Sequence, residues 1–173
     1  MNIKFLLTGL LVAFLSSGCA TKMNFHKSPV EFASDSSSHK TEKFIVNRPY
    51  QDVVDTYKRL TPKCLNKALQ VEVARRGYSD NGIYYFKSSV KSTQDRTYLG
   101  VQMLRHDMFD KYIKQGLIPK DGVYVLVTEA KPISANQTQI KIMTRNWISA
   151  PSEFNDAIRS WSKGEFEGCP VIK

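Results

Sequence analysis

Polar and apolar positions change period several times along the chain, and those changes divide it into elements. Residues 43–46 (KFIV) read as a short strand. Asn47 stands where a helix N-cap belongs and Pro49 suits a first turn. Val53, Val54, Tyr57 and Leu60 follow at i, i+1, i+4 and i+7, the stripe of an amphipathic helix. Pro62 interrupts the stripe, while Thr61 can cap a further stretch holding Cys64, Leu65, Ala68 and Leu69, so this segment is one kinked helix or two short ones. Leu69, Val71 and Val73 alternate as in a strand, or finish the helix. Asp80-Asn81-Gly82 is a tight-turn signal leading into residues 83–90 (IYYFKSSV), which are rich in strand formers. A polar turn over 91–96 precedes a strand over 97–105, and residues 107–121 are expected to form a short helix and a loop. Residues 122–130 and 137–146 read as a hairpin across 132–136. Phe154, Ala157, Ile158 and Trp161 define a last helix, capped by Ser152 and stopped at Gly164.

A strand, a helix, a run of strands and a final helix give an α+β domain: an antiparallel sheet of about four to five strands with two helices packed on one face. Over about residues 43–165 this order resembles the helix-grip and TATA-binding-protein-like arrangements, including the domains of an outer-membrane assembly lipoprotein. The resemblance is one of element order and implies a fold rather than an activity. At 173 residues the chain suits one domain, here residues 43–173, and no internal repeat suggests a solenoid or propeller.

The first residues carry a different pattern. Lys4 makes a short basic start, and residues 5–15 (FLLTGLLVAFL) are an apolar run too short to span a bilayer, which takes about 20 residues. Leu15-Ser16-Ser17-Gly18-Cys19-Ala20 follows. This stretch resembles the lipobox of bacterial lipoproteins, with Ser16 where that family most often has Leu. The resemblance implies a signal peptide over 1–18 and diacylglyceryl attachment to Cys19. It also implies acylation of the new N-terminus and, with Ala20 after the cysteine rather than Asp, delivery to the outer membrane. Two or more acyl chains hold a protein stably at a bilayer where one does not. Residues 19–42, with Ser28-Pro29, Ser34 and Ser36-Ser37-Ser38, read as a flexible tether of about 25 Å root-mean-square span.

If Cys19 is lipidated, Cys64 and Cys169 are the remaining cysteines, and in an oxidising compartment they are expected to form a disulfide, the alternative being two buried thiols. A bridge between them would clip the tail to the first helix. Loss of residues 1–18 leaves 24 basic against 16 acidic groups, an excess of eight that favours anionic surfaces. Arg75, Arg76, Lys87, Lys91 and Arg96, together with the aromatic Tyr84, form a candidate binding surface beside the first turns of the sheet. The same charges could merely blunt an edge strand. Export would keep the domain from cytoplasmic nucleic acid, so no nucleic-acid partner is expected.

No G-x-S-x-G, H-E-x-x-H or Walker pattern occurs. His26 and His39 fall in the expected tether. His106 with Asp107 and Asp110 is the one cluster that could hold a metal or orient an imidazole, and a loop histidine beside carboxylates is ordinarily surface. The sequence therefore predicts no catalytic residues, no metal and no cofactor. It predicts a lipid-anchored, non-enzymatic interaction or assembly factor at the outer membrane, facing the periplasm. The expected partners are the membrane, through the acyl anchor, and an envelope protein complex or anionic envelope polymer. The alternative is a carrier or sensor of an apolar ligand held between sheet and helix.

Overall fold

The computed structural model describes residues 25–75, 78–146, 148, 150–166 and 168–172. In chain order the elements are α1 (Pro29–Ser34), β1 (His39–Val46), α2 (Tyr50–Cys64), β2 (Lys67–Arg75), β3 (Tyr78–Ser92), β4 (Thr97–Leu104), α3 (His106–Lys114), β5 (Val123–Ser134), β6 (Gln137–Arg145) and α4 (Ser152–Lys163). All six strands join one antiparallel sheet in the order β1-β6-β5-β4-β3-β2. The α+β class holds. The sheet has six strands rather than four to five, and the described residues carry four helices rather than two.

The added strand is β2, where the alternation of Leu69, Val71 and Val73 belongs to the sheet and not to the end of a helix. Its register, from Lys67 opposite Phe86 to Arg75 opposite Tyr78, places Asp80-Asn81-Gly82 inside β3, facing Val73, Glu72 and Val71. The tight turn expected there is therefore a correction. Continuous cross-strand pairing outweighs the turn preference of three residues, and residues 76–77 lie outside the described residues.

α2 is one helix, running through Pro62 to Cys64, with Pro49 and not Asn47 at its N-cap. Pro62 lies so close to the C-terminal end that the helix gives up a single backbone bond there. Ser88 Oγ donates to the neighbouring Thr61 carbonyl at 3.1 Å. The apolar stripes of α2 and α4 cover one face of the sheet, where Tyr57, Leu60, Phe154, Ile158 and Trp161 meet Phe86, Leu99, Val101, Val125 and Ile140. The rings of Phe86 and Phe154 meet edge to face, their centres 5.4 Å apart. Tyr57 and Ser162 share a buried hydrogen bond of 2.6 Å between the helices. α4 ends on Gly164, whose φ of 75° is the left-handed conformation that glycine adopts without strain. Beyond it the tail returns to α2, and Cys64 is bonded to Cys169 with the two Cα atoms 4.9 Å apart.

The expected tether is the largest correction. Ser28 accepts from the Glu31 amide at 3.1 Å and Glu31 accepts from the Lys27 amide at 2.8 Å, with Pro29 as the first helical residue. This reciprocal capping starts α1. The helix delivers Phe32, fully buried, onto the opposite sheet face against Tyr98, Tyr124, Val127 and Met143. Phe25, the first described residue, packs against the main core, and the serines of this region cap and turn the chain.

Candidate functional site

α1 covers only part of the sheet face opposite the two long helices. Beyond it the strands carry one row of side chains set by register: Lys43 of β1 opposite Lys141 of β6, Lys141 opposite Glu129 of β5, Glu129 opposite Tyr98 of β4, and Tyr98 opposite Lys91 of β3. Neighbouring strands lie about 4.8 Å apart, so the row spans roughly 19 Å across the sheet. Arg96, one residue before β4, joins it through an ion pair with Glu129 at 3.6 Å and another with Asp95 at 3.4 Å. Part of the row lines a groove of about 380 Å³ with Val30, Ala33 and Ser34 of α1 as its wall and Gln139 on its floor.

The electrostatics of this groove are one-sided. The row carries Lys43, Lys91 and Lys141 with Glu129 as its single carboxylate, and Arg96 beside it is shared between Glu129 and Asp95. Lys43 and Lys141, on adjacent strands, sit well within the Debye length of about 8 Å at physiological salt and repel one another, while Lys91 stands three strands, about 14 Å, from Lys141. The Tyr98 hydroxyl bonds Arg96, and that bond with Glu129 and Asp95 raises the affinity of the guanidinium for its proton. Burial and the Glu129 carboxylate push the Tyr98 phenol above its usual value, so it stays neutral. Lys141 Nζ reaches the Ala33 carbonyl at 3.5 Å, at the end of α1. A surface of this kind can bind an extended acidic ligand through charge and amide contacts. Among the described residues that line the groove, no nucleophile has a base beside it.

The predicted surface residues divide. Lys91 and Arg96 reach this row. Lys87, on the same face of β3, is engaged by Asp121 at 2.9 Å. Tyr84 points to the other face, buried in the main core, with its hydroxyl accepting from Arg105 at 2.8 Å; its place in a binding surface is a correction. Arg75 ends β2, at the far side of the sheet from β1. Arg76 lies outside the described residues, as do Cys19 and residues 1–18, where a signal peptide is expected. Sequence reasoning missed Lys43, Gln139 and Lys141. Their signal was the alternation of the strands, but only the pairing of β1 with β6 brings them beside Arg96.

What fixes α1 is a buried polar cluster. Arg145 donates to the Tyr124 carbonyl at 2.6 Å, lies over the Phe32 ring at 5.1 Å from its centre, and meets His26 Nδ1 at 3.2 Å. His26 Nε2 is 3.0 Å from Asp35, and His39 stacks on Phe32. Burial draws the Arg145 guanidinium down to about 10, still charged at neutral pH. The placement of His26 and His39 in a tether is thus corrected: both are buried under α1.

His106 bonds Asp110 at 3.0 Å, both of them exposed, while Asp107 is held by Arg105 at 2.7 Å. Among the described residues, no group of three or more His, Cys, Asp and Glu side chains comes together to hold a metal. No helix among them is long and apolar enough to cross a membrane. The sequence matches no protein-family model, and no curated protein matches it.

Proposed function

We propose that the protein is a lipid-anchored, non-enzymatic interaction or assembly factor of the bacterial envelope. Acyl chains on Cys19 would hold it at the outer membrane with its domain in the periplasm, and the row from Lys43 to Lys91 would bind an acidic envelope partner. The lipobox-like stretch before Cys19 supports the anchor. The observation that carries the binding reading is the alignment of Lys43, Lys141 and Lys91 in one row, with Arg96 at its margin, on a face that α1 leaves open. The protein tolerates the repulsion between Lys43 and Lys141 at adjacent register positions, and an acidic ligand would relieve it. A row of three lysines with one carboxylate and one phenol, crossing five strands, suits an extended polymer or strand bearing carboxylates or phosphates.

A carrier of an apolar ligand would need room between the sheet and the helices. That space holds Trp161, Tyr57, Phe154, Leu65 and Ile158, all buried, which supports the surface reading over the carrier. The likeness in element order to helix-grip and TATA-binding-protein-like domains belongs to the same proposal. The test is charge reversal of Lys43, Lys91 and Lys141 to Glu in the full-length protein, followed by co-purification with envelope material at low and high salt. Three surface contacts, two exposed and that of Lys141 half-buried, at 0.2–1 kcal/mol each with repulsion added predict a loss of about tenfold. Retention unchanged by the reversal would refute the reading.

A further inference from the structure

A second surface lies at the end of the sheet where β4 stops and β5 begins. α3 docks there through Phe109, buried, and Ile113, half-buried, at i and i+4. Its adjacent flank leaves Met108 37% and Tyr112 40% exposed, and Leu117 in the following turn is 51% exposed. Lys111, Lys114 and Lys120 surround these apolar groups, are themselves exposed, and make no ion pair among the described residues. The carboxylates of the segment are engaged, Asp107 by Arg105, Asp110 by His106 and Asp121 by Lys87. Apolar side chains ringed by unpaired lysines on a short amphipathic helix form an interfacial pattern, apolar groups for the acyl boundary and cations for head groups.

The N-terminal chain leads to the same place. Phe25, where the described structure begins, has its ring 6.1 Å from that of Tyr112. Six residue steps separate Cys19 from Phe25, and a fully extended chain spans at most about 20 Å over that distance. We infer that α3 and the turn after it, residues 106–120, seat directly on the surface of an anionic bilayer. Met108, Tyr112 and Leu117 enter the head-group boundary, and Lys111, Lys114 and Lys120 meet lipid phosphates. This inference rests on acylation of Cys19. It also orients the molecule: Tyr98 lies six residues up β4 from Leu104, so the cationic row stands roughly 20 Å above the seated end. The row faces sideways, open to a partner, instead of lying on the lipid.

The test uses the full-length protein extracted from its own membranes and reconstituted in vesicles of phosphatidylethanolamine and phosphatidylglycerol. With Cys64 and Cys169 bonded and Cys19 acylated, Met108→Cys presents one thiol for an environment-sensitive fluorophore. Ile133→Cys, at the opposite end of the sheet, is the control. Intact mass on the same sample reports the acyl groups. The expected result is a blue-shifted, brightened emission at position 108 and none at 133. Each lysine beside an anionic surface contributes about fivefold to the seating equilibrium, so Lys111→Gln, Lys114→Gln and Lys120→Gln together lower it roughly a hundredfold and abolish the shift. An acylated protein whose emission at 108 matches that at 133 overturns the inference and leaves the lipid anchor standing. A mass without acyl groups overturns both.

Discussion

Replacing Phe32 by Ala distinguishes a folded N-terminal segment from a tether. Phe32 is fully buried, its ring contacted by His26 at 5.3 Å and His39 at 5.1 Å, with the Arg145 guanidinium above it. Truncating a buried Phe to Ala costs about 3–5 kcal/mol through lost transfer energy and the cavity left behind. The cation–π contact with a largely desolvated Arg145 contributes about 2 kcal/mol within that figure. Phe32→Leu keeps most of the volume and removes the ring, so it should cost about half as much. Equilibrium urea unfolding followed by tryptophan fluorescence reads both. With a urea m-value of about 2 kcal/mol/M, Phe32→Ala lowers the midpoint by roughly 2 M. A change below about 0.5 kcal/mol, the size expected for an exposed linker residue, would refute the packing of α1 on the sheet.

Replacing Cys64 and Cys169 together by Ala removes a crosslink closing 105 residues of sequence, worth about 4.7 kcal/mol in the chain-entropy model, and should lower the melting temperature by roughly 10 °C in calorimetry. Gly100→Ala drives a Cβ to 2.8 Å from the Tyr124 ring beneath Pro29, and should cost about 1–3 kcal/mol in the same unfolding assay. Gly122→Ala combines a φ of 92° with a Cβ that collides with the Met103 carbonyl, and should leave little folded protein by circular dichroism. Acid should weaken the α1 cluster in two stages. Burial first, and Lys141 second, lower the His39 pKa below its ordinary 6.5, and hydrogen bonds led by that from Ser37 lower Asp35 below 3.8. Both groups bind fewer protons folded than unfolded, so stability falls as pH drops below about 6.5 and again below about 3.8. His39→Leu should remove the upper stage in urea midpoints measured against pH.

The elements with strong local period were legible. α4 follows its i, i+3, i+4 and i+7 stripe and stops on Gly164, and the β5–β6 hairpin lies close to where turn residues place it. α1 also had a signal, since Ser28-Pro29-Val30-Glu31 before Phe32 is a capping sequence with proline at the first helical position. The serines around it have the composition of a linker, which masks the capping spacing. The fate of Asp80-Asn81-Gly82 could not be read locally, as it depends on the pairing of β2 with β3. The site was the least legible part. Lys91 and Arg96 lie in a visibly basic stretch, but Lys43 and Lys141 are about 100 residues apart and become neighbours only when β1 closes against β6. Arg145 and His26, likewise distant in sequence, gave no sign of meeting beneath a helix.

The measurement that bears most directly on the binding reading is site-specific photocrosslinking from position 139 in the full-length protein, in intact cells. Gln139 lies on the floor of the groove, in the strand that carries Lys141. The account predicts a discrete crosslinked product at 139 that disappears when Lys43, Lys91 and Lys141 are changed to Glu, and none from Lys58 on the solvent side of α2. No product at 139, or one that survives the charge reversal, would contradict the claim that the basic row is where the protein meets its partner.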